Sequence, residues 1–501
     1  MSQSLDEQGA RWSARRLALP TDGLAHAREC KGTQADRSGA SRGPRSRRNR
    51  LSTLRICYYG DDFTGSTDVM ESLTFAGIPT ALFLDPPSSD LLAGFGELGA
   101  IGVAGRTRSL APTAMENELK TVFEAFARLR PPIVHYKTCS TFDSTPEVGS
   151  IGRAIDVGAR IFDPPYVPLV VGAPALRRFC AFGNLFASSG LESDIYRLDR
   201  HPTMSRHPIT PMDEADIRVH LGRQTDRPIG LMDTVELRAP DFASRFEEWS
   251  ETRDILLFDT VSEEELTRVG ELVWGSTVEE RTLFAAGSSG LEYALVSHWR
   301  ATGELDAACE TTAVDPVERI VVVSGSCSPV TAEQIEWAGR NGFAVISLDT
   351  PSLVGSSVPG MKATVEEAVK ILAGGKSVVL HACQGPDDPR IPATLDRIGR
   401  SGSDDPSGES AELIGLALGT LMREILVRSG VRRGATTGGD TSYYVARALG
   451  AHALEAVAPV DPGSPLCRVH TESELDGIEL TFKGGQVGTR DFFGRVLGRG
   501  I

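Results

Sequence analysis

Two glycine-rich stretches near the C-terminus, Thr436-Thr437-Gly438-Gly439-Asp440-Thr441 and Lys483-Gly484-Gly485-Gln486-Val487-Gly488, combine residues that can cradle an anion. Glycine lets a backbone come close to a ligand, and a helix that follows aims its N–H groups at negative charge. Either stretch alone also reads as an ordinary tight turn; two in one α/β region suggest a phosphate cradle. An acidic turn, Gly60-Asp61-Asp62-Phe63-Thr64-Gly65, lies near the start of the folded region. A carboxylate there could accept a hydroxyl proton or help hold Mg²⁺ through water. Asp is equally an everyday helix cap, a role that needs only one of the pair.

Basic residues sharpen the picture. Lysine occurs only at positions 31, 120, 137, 362, 370, 376 and 483, the remaining cations being arginine. Lys137 precedes Thr138-Cys139-Ser140-Thr141, and Lys483 precedes its glycine run. A compact point charge differs from a planar guanidinium, so both places could require one; chance placement at strand ends is the alternative. Arg106 and Arg108 follow a predicted strand and could clamp a carboxylate with paired N–H donors, although exposed loop arginines are common. His201 and His207 share a proline-rich loop without metal-ligand spacing and read as structural. Gly374-Gly375-Lys376-Ser377 ends like a nucleotide-binding P-loop, but Lys370 stands where the first glycine belongs. It also follows a helix and precedes a strand, the wrong order for that cradle, and reads as a helix C-cap.

The elements that must position these residues alternate short β-rich runs with amphipathic ones. Strands are expected at residues 55–59, 78–84, 100–104, 133–137 and 169–172, with helices to about 76, over 112–129 and over 150–161. Residues 200–212 read as a loop, with strands at 229–232, 255–258 and 283–286 beyond it. A linker is expected around 301–317. A second run follows, with strands at 320–324, 344–348 and 377–381, an exposed loop at 400–409, and a helix to about 429. Such alternation marks mostly parallel sheets with helices on both faces, hence two α/β domains.

The chain has 501 residues, 41% of them hydrophobic and 24% charged, ordinary for a globular protein of two to four domains. Its formal net charge of -15 argues against nucleic-acid partners without excluding small anions. Eight cysteines without a C-x-x-C pair indicate neither zinc nor a disulfide framework and fit a reduced, cytoplasmic setting. No apolar run approaches the ~20 residues that span a bilayer, so no membrane partner is expected. Residues 1–53, rich in Arg, Ser and Gly, read as a disordered extension or as a start placed too far upstream; a targeting arm is the alternative.

Taken together, these pieces resemble the four-carbon acid sugar kinase family. The resemblance runs from about residue 55 to residue 498. It rests on the acidic turn, Tyr136-Lys137, His207-Pro208-Ile209-Thr210-Pro211-Met212, Ser324-Gly325-Ser326-Cys327-Ser328-Pro329-Val330-Thr331, Gly463-Ser464-Pro465-Leu466 and both glycine stretches. It implies a sugar-acid-binding domain at 54–305, a nucleotide-binding domain at 318–501 and an active-site cleft between them. The implied reaction is phosphoryl transfer from ATP, with Mg²⁺, to a hydroxyl of acids such as threonate, erythronate or 3-oxo-tetronate. By position, Asp61, Asp62 and Lys137 would be catalytic, with Arg106, Arg108, Ser140 and Thr141 holding the acid. Ser326, Ser328, Gly438, Gly439, Asp440, Thr441, Gly463, Lys483, Gly484, Gly485 and Gly488 would serve the nucleotide. The resemblance leaves open which carboxylate is the base, and assigns no metal ligand. It also admits a homo-oligomer and, as a rival function, a sugar-acid sensor without phosphoryl transfer.

One turn departs from the family pattern. Many members carry Asp-Ser-Thr-Leu-Arg-Gly after the lysine, whereas this chain reads Cys139-Ser140-Thr141-Phe142-Asp143-Ser144-Thr145-Pro146. That version is similar to a branch associated with branched or 3-oxo sugar acids, including 3-oxo-isoapionate.

Overall fold

Short runs of β-branched and aromatic residues build the centre of the molecule, as in Ile56–Gly60, where all five residues are buried. A strand covered on both faces has no need to alternate polar with apolar side chains, which is the mark of a parallel sheet. The computed structural model describes residues 54–188, 194–207, 209–306, 312–354, 359–400 and 406–499. The expected disordered extension at 1–53 lies outside the described residues.

The strands of the first half are β1 (Ile56–Gly60), β2 (Thr80–Phe83), β3 (Ala100–Ala104), β4 (Ile133–Lys137) and β5 (Val167–Val170). Then come β6 (Arg178–Ala181), β7 (Asn184–Ser188), β8 (Ile195–Arg197), β9 (Ile229–Met232), β10 (Ile255–Phe258) and β11 (Leu283–Gly287). The second half supplies β12 (Val321–Ser324), β13 (Ala344–Ser347), β14 (Val378–His381), β15 (Arg433–Thr437), β16 (Ala451–Asp461), β17 (Ser464–Thr471) and β18 (Glu479–Lys483). Fifteen of them form one sheet, in the order β13-β14-β12-β15-β18-β17-β16-β2-β3-β1-β4-β11-β5-β10-β9. The α/β reading with mostly parallel strands therefore holds, but the halves do not carry separate sheets. The β16–β17 hairpin pairs antiparallel with β18 on one side and with β2 on the other, through Ala453–Phe83 and Leu454–Leu82. The apolar core is equally continuous, running from Ile56 and Leu73 through Phe482 to Val323 and Leu380.

Other features also differ from the sequence reading. Strands β6, β7 and β8 form a small separate sheet that the sequence reading does not contain. Of the loop expected at 400–409, residues 401–405 lie outside the described residues, and 406–409 are instead helical, since helix Pro406–Ser429 begins at a proline suited to a first helical turn.

The order of strands places both signature turns. The chain runs from β1 outward to β2 and β3, then returns to the other side of β1 for β4. From β12 it likewise goes to β13 and β14, and then to β15 on the far side. Each reversal opens a crevice at the carboxyl ends of the strands, where open α/β sheets bind ligands. The acidic turn follows β1, and Gly325-Ser326-Cys327-Ser328 follows β12.

Candidate functional site

At the crevice beside β1 the carboxyl ends of β3, β1 and β4 are tied together. The Asp61 N–H donates to the Lys137 carbonyl at 2.9 Å, and the Arg108 N–H to the Asp61 carbonyl at 3.1 Å. The Arg108 guanidinium then reaches back to both aspartates: Nη2 lies 3.0 Å from Asp61 Oδ1, and Nη1 lies 2.9 Å from Asp62 Oδ2. Asp62 also caps helix Phe63–Phe75, accepting the Gly65 N–H at 2.7 Å. Capping and charge pairing thus coincide in one side chain.

Burial raises the Asp61 carboxyl to about 6, helped by the Asp62 charge and opposed by Arg108 and Lys137. The Asp62 side chain is 21% exposed against 5% for Asp61, so Asp62 is the carboxylate that faces the crevice. Lys137 is buried, with Nζ 3.9 Å from Asp68 Oδ2. Gly65 leaves room for these charges: a Cβ there would stand 2.4 Å from Asp62 Oδ1 and 2.9 Å from Lys137 Nζ. Thr141 donates to Asp143 Oδ1 at 2.6 Å. Although burial pulls the other way, the Arg108 charge and the Thr141 hydroxyl hold the Asp143 carboxyl below its ordinary value.

The second crevice is built from backbone. Gly438, at φ 109°, precedes helix Gly439–Ala448 and offers no side chain to cap it, so the first-turn N–H groups face the crevice uncapped. Its own N–H is held by the Lys483 carbonyl at 2.8 Å. Ser326 Oγ accepts the Ser328 N–H at 3.2 Å, and a Cβ on Gly485 would come within 2.7 Å of that oxygen. Ser328 in turn caps helix Pro329–Arg340.

The crevices meet at Thr64. Its Oγ1 lies 3.8 Å and 4.0 Å from where a Cβ would stand on Gly439 and Gly484. Phe63 packs edge-on against Phe482 and Tyr443. Burial raises the Asp440 carboxyl, the Asp62 charge raises it further, and Arg108 opposes them. Asp440 and Asp62 therefore share one field across the junction. A cation between them would relieve both, which suits a magnesium ion bound to a few carboxylates, water and phosphate. Among the described residues no three His, Cys, Asp or Glu side chains form a complete metal cage.

Several residues expected at the site point their polar groups to other partners or show no contact with the two charged aspartates. Arg106 is half exposed and turned to Glu118 at 3.8 Å. Ser140 sits half-buried in its turn. Lys483 is fully buried beneath its loop, donating to the carbonyls of Gly484 at 2.8 Å and Val487 at 3.0 Å. Burial lowers its ammonium to about 7. Gly463 lies in the β16–β17 turn, where its N–H donates to Glu71 Oε2 at 2.8 Å. Gly488, at φ 89°, is boxed in by Phe492 and Asp461. Sequence reasoning passed over Thr64, Asp68 and Asp143. Thr64 and Asp143 sit inside quoted motifs, and Asp68 lies on the helix that follows, so the signal was their position beside the singled-out residues.

Comparison with known proteins matches residues 56–295 to a sugar-binding N-terminal domain and residues 321–493 to a nucleotide-binding C-terminal domain. The chain is 47% identical to a 3-oxo-isoapionate kinase of Paraburkholderia graminis, covering 88% of this chain and 94% of that one. A 3-oxo-tetronate kinase of Methylobacterium radiotolerans is 31% identical, over 89% and 99% of the two chains. One from Pseudomonas savastanoi pv. phaseolicola is 28% identical, over 87% and 95%. The fold is shared with a solved Haemophilus influenzae protein at a TM-score of 0.65 and 23% identity, covering 88% of this chain and 99% of that one. A solved Salmonella typhimurium LT2 protein gives 0.69 at 24%, over 88% and 98%. With a relative this similar along nearly its whole length, and with both halves of the pattern in place, the chain belongs to the four-carbon acid sugar kinase family.

Proposed function

We propose that the protein transfers the terminal phosphoryl group of ATP to a hydroxyl of a branched 3-oxo sugar acid of the 3-oxo-isoapionate type. The observation that carries the reading is the convergence at Thr64 of a charged crevice and an uncapped, glycine-lined helix start. The first can hold a small hydroxy acid; the second can hold phosphates. The substrate class draws on the 47% identity to the 3-oxo-isoapionate kinase, against 31% and 28% to the 3-oxo-tetronate kinases. It draws also on the altered turn from Cys139 to Pro146.

In this reading Asp62 orients the acceptor hydroxyl and takes its proton. Asp61 fixes the plane of Arg108, whose remaining N–H groups bind the substrate carboxylate. Lys137 offsets negative charge gathered between the two halves. The N–H groups opening helix Gly439–Ala448, with Ser326 and the turn at Gly484 and Gly485, hold the phosphates. Asp440, with Asp62 across the junction, would help hold a magnesium ion arriving with ATP, and such an ion would supply neutralisation of charge on the phosphates. Lys483 acts indirectly, by fixing the loop that carries Gly484 and Gly485.

The test is ADP release with Mg·ATP over a panel of four-carbon and branched five-carbon acids, including 3-oxo forms. Turnover is expected to be fastest on 3-oxo-isoapionate. Equal or faster turnover on 3-oxo-tetronate would overturn the substrate assignment, and ligand binding without ADP would favour a sensor.

A further inference from the structure

We propose that Cys327 and Cys383 are a reversible disulfide switch that weakens the nucleotide loop when oxidised. Cys327 lies between Ser326 and Ser328 in the turn after β12, and Cys383 lies two residues beyond the end of β14. These strands are parallel neighbours with Ser324 paired to His381, so the two turns leave the sheet side by side. The Ala382 N–H donates to the Ser324 carbonyl at 2.8 Å and holds them there. Neighbouring strands run about 4.8 Å apart, inside the range of Cα separations that a disulfide spans.

The thiols already touch. Cys383 donates its S–H to Cys327 Sγ at 2.9 Å, and a disulfide of about 2.05 Å is less than ~1 Å away. Among the described cysteines Cys327 alone is exposed, whereas Cys57, Cys180, Cys383 and Cys467 are buried. The Cys383 hydrogen bond, with help from Arg390, outweighs burial and nearby Asp388 to lower the Cys327 thiol. Burial pushes the Cys57, Cys180 and Cys467 thiols up. An accessible, activated thiol beside a resolving partner is the arrangement that redox-sensing cysteines use.

With a peroxide as oxidant the chemistry closes in two steps. The Cys327 thiolate attacks one peroxide oxygen, breaks the O–O bond and becomes a sulfenic acid, while the other oxygen leaves as hydroxide and is protonated to water. The Cys383 sulfur then attacks the sulfenic sulfur, forms the S–S bond and releases its own proton with the hydroxyl as a second water. Two thiols and one peroxide give one disulfide and two waters. A small dithiol returns both sulfurs to thiols by exchange.

Closing the bond draws Cys327 toward Cys383 and carries Ser326 and Ser328 with it. The Ser326–Ser328 hydrogen bond and the approach of Gly485 to Ser326 depend on that backbone path. A displacement near 1 Å at a positioning group can cost about 100-fold in rate. The effect on turnover rests on the nucleotide reading above; the thiol chemistry does not.

The experiment treats the full reduced chain with hydrogen peroxide, maps non-reduced peptides, and measures ADP affinity and turnover before and after dithiothreitol. The expected result is a Cys327–Cys383 cross-linked peptide with at least tenfold weaker ADP binding. Both should reverse with dithiothreitol and be absent in Cys383→Ser, which keeps the reduced enzyme's activity. Absence of the cross-link would overturn the proposal, as would a complete cross-link with unchanged ADP affinity, or equal oxidation sensitivity in Cys383→Ser. Peptide map and ADP affinity need no acid substrate, so a failed acid assignment would not be mistaken for a failed switch.

Discussion

The two crevices of this molecule handle charge in opposite ways. Around β1 the work falls to side chains: Asp61, Asp62 and Arg108 form a partly buried cluster in which they satisfy one another, and buried Lys137, paired with Asp68, adds its charge to it. Around β12 and β15 it falls to backbone, and the cation that the sequence advertises, Lys483, is turned away into its own loop. A site made of side chains is sensitive to the loss of a functional group. One made of backbone is sensitive to the gain of a Cβ. The first should therefore register mutations in kcat, the second in the KM for nucleotide.

The strongest way to break this contrast is to remove charge without shape at the acid end. Asp62→Asn keeps a competent helix cap, so the fold should survive while kcat falls by about 10²–10⁴. Lys137→Met should act in the same direction. Steady-state kinetics with a thermal melt decide the matter, and a mutant that changes only the KM for ATP would contradict the assignment.

At the nucleotide end Gly438→Ala places a side chain at φ 109°, with its Cβ 3.0 Å from Thr441 Oγ1. Strain of this kind costs about 1–3 kcal/mol, so the KM for ATP should rise roughly 5- to 150-fold with a smaller change in the KM for the acid. Equal effects on both substrates would erase the division of labour.

Acid pH should sharpen the contrast further. As pH falls through about 6 Asp61 protonates and its hold on Arg108 loosens, so kcat/KM for the acid should decline while ADP affinity holds. In Asp61→Asn that acid limb should vanish from the residual activity.

The smallest effect concerns Glu71, whose carboxylate takes the Gly463 N–H across the junction. Burial, reinforced by Asp68 and Asp461 and opposed by the backbone N–H donors, pushes its carboxyl up from 4.5 to about 8. Between those values the folded protein binds the extra proton, so stability contributed by Glu71 is present at acid pH and is lost as pH rises toward 8. Glu71→Gln should flatten that slope and raise stability at pH 8 by on the order of 1–2 kcal/mol, read from urea unfolding at several pH values.

Much of this was legible in the residues because parallel β/α units repeat a simple grammar. Buried strands such as Ile255–Phe258 read as continuous apolar runs, and the turns at the carboxyl ends of such strands carry the polar exceptions. Asp61, Asp62 and Lys137 stood out for that reason, and they meet in space. The β16–β17 hairpin was hidden. Pro459, Pro462 and Pro465 interrupt it, and register shifts break its alternation, so its strands lack a clean period of two. The small β6–β8 sheet escaped for a related reason: its strands are short, and a single glycine, Gly183 at φ 77°, marks the β6–β7 turn beside Phe182, itself at positive φ where glycine or asparagine is usual. Lys483 shows a different limit. Scarcity of lysine marks a position as special but carries no information on which way the ammonium points.

The short β2–β16 ladder has a consequence for how the chain can be divided. Severed near residues 306–317, the sugar-side piece would expose the outer edge of β2, and the nucleotide-side piece the outer edge of β16. Each edge presents unpaired N–H and carbonyl groups ready to recruit another strand. The continuous core from Ile56 to Leu380 would be opened by the same cut. Separately expressed halves should aggregate, and co-expressed halves should recover a soluble, active pair. Evolution can then vary the two ligand crevices independently, but it must inherit their scaffold as one piece.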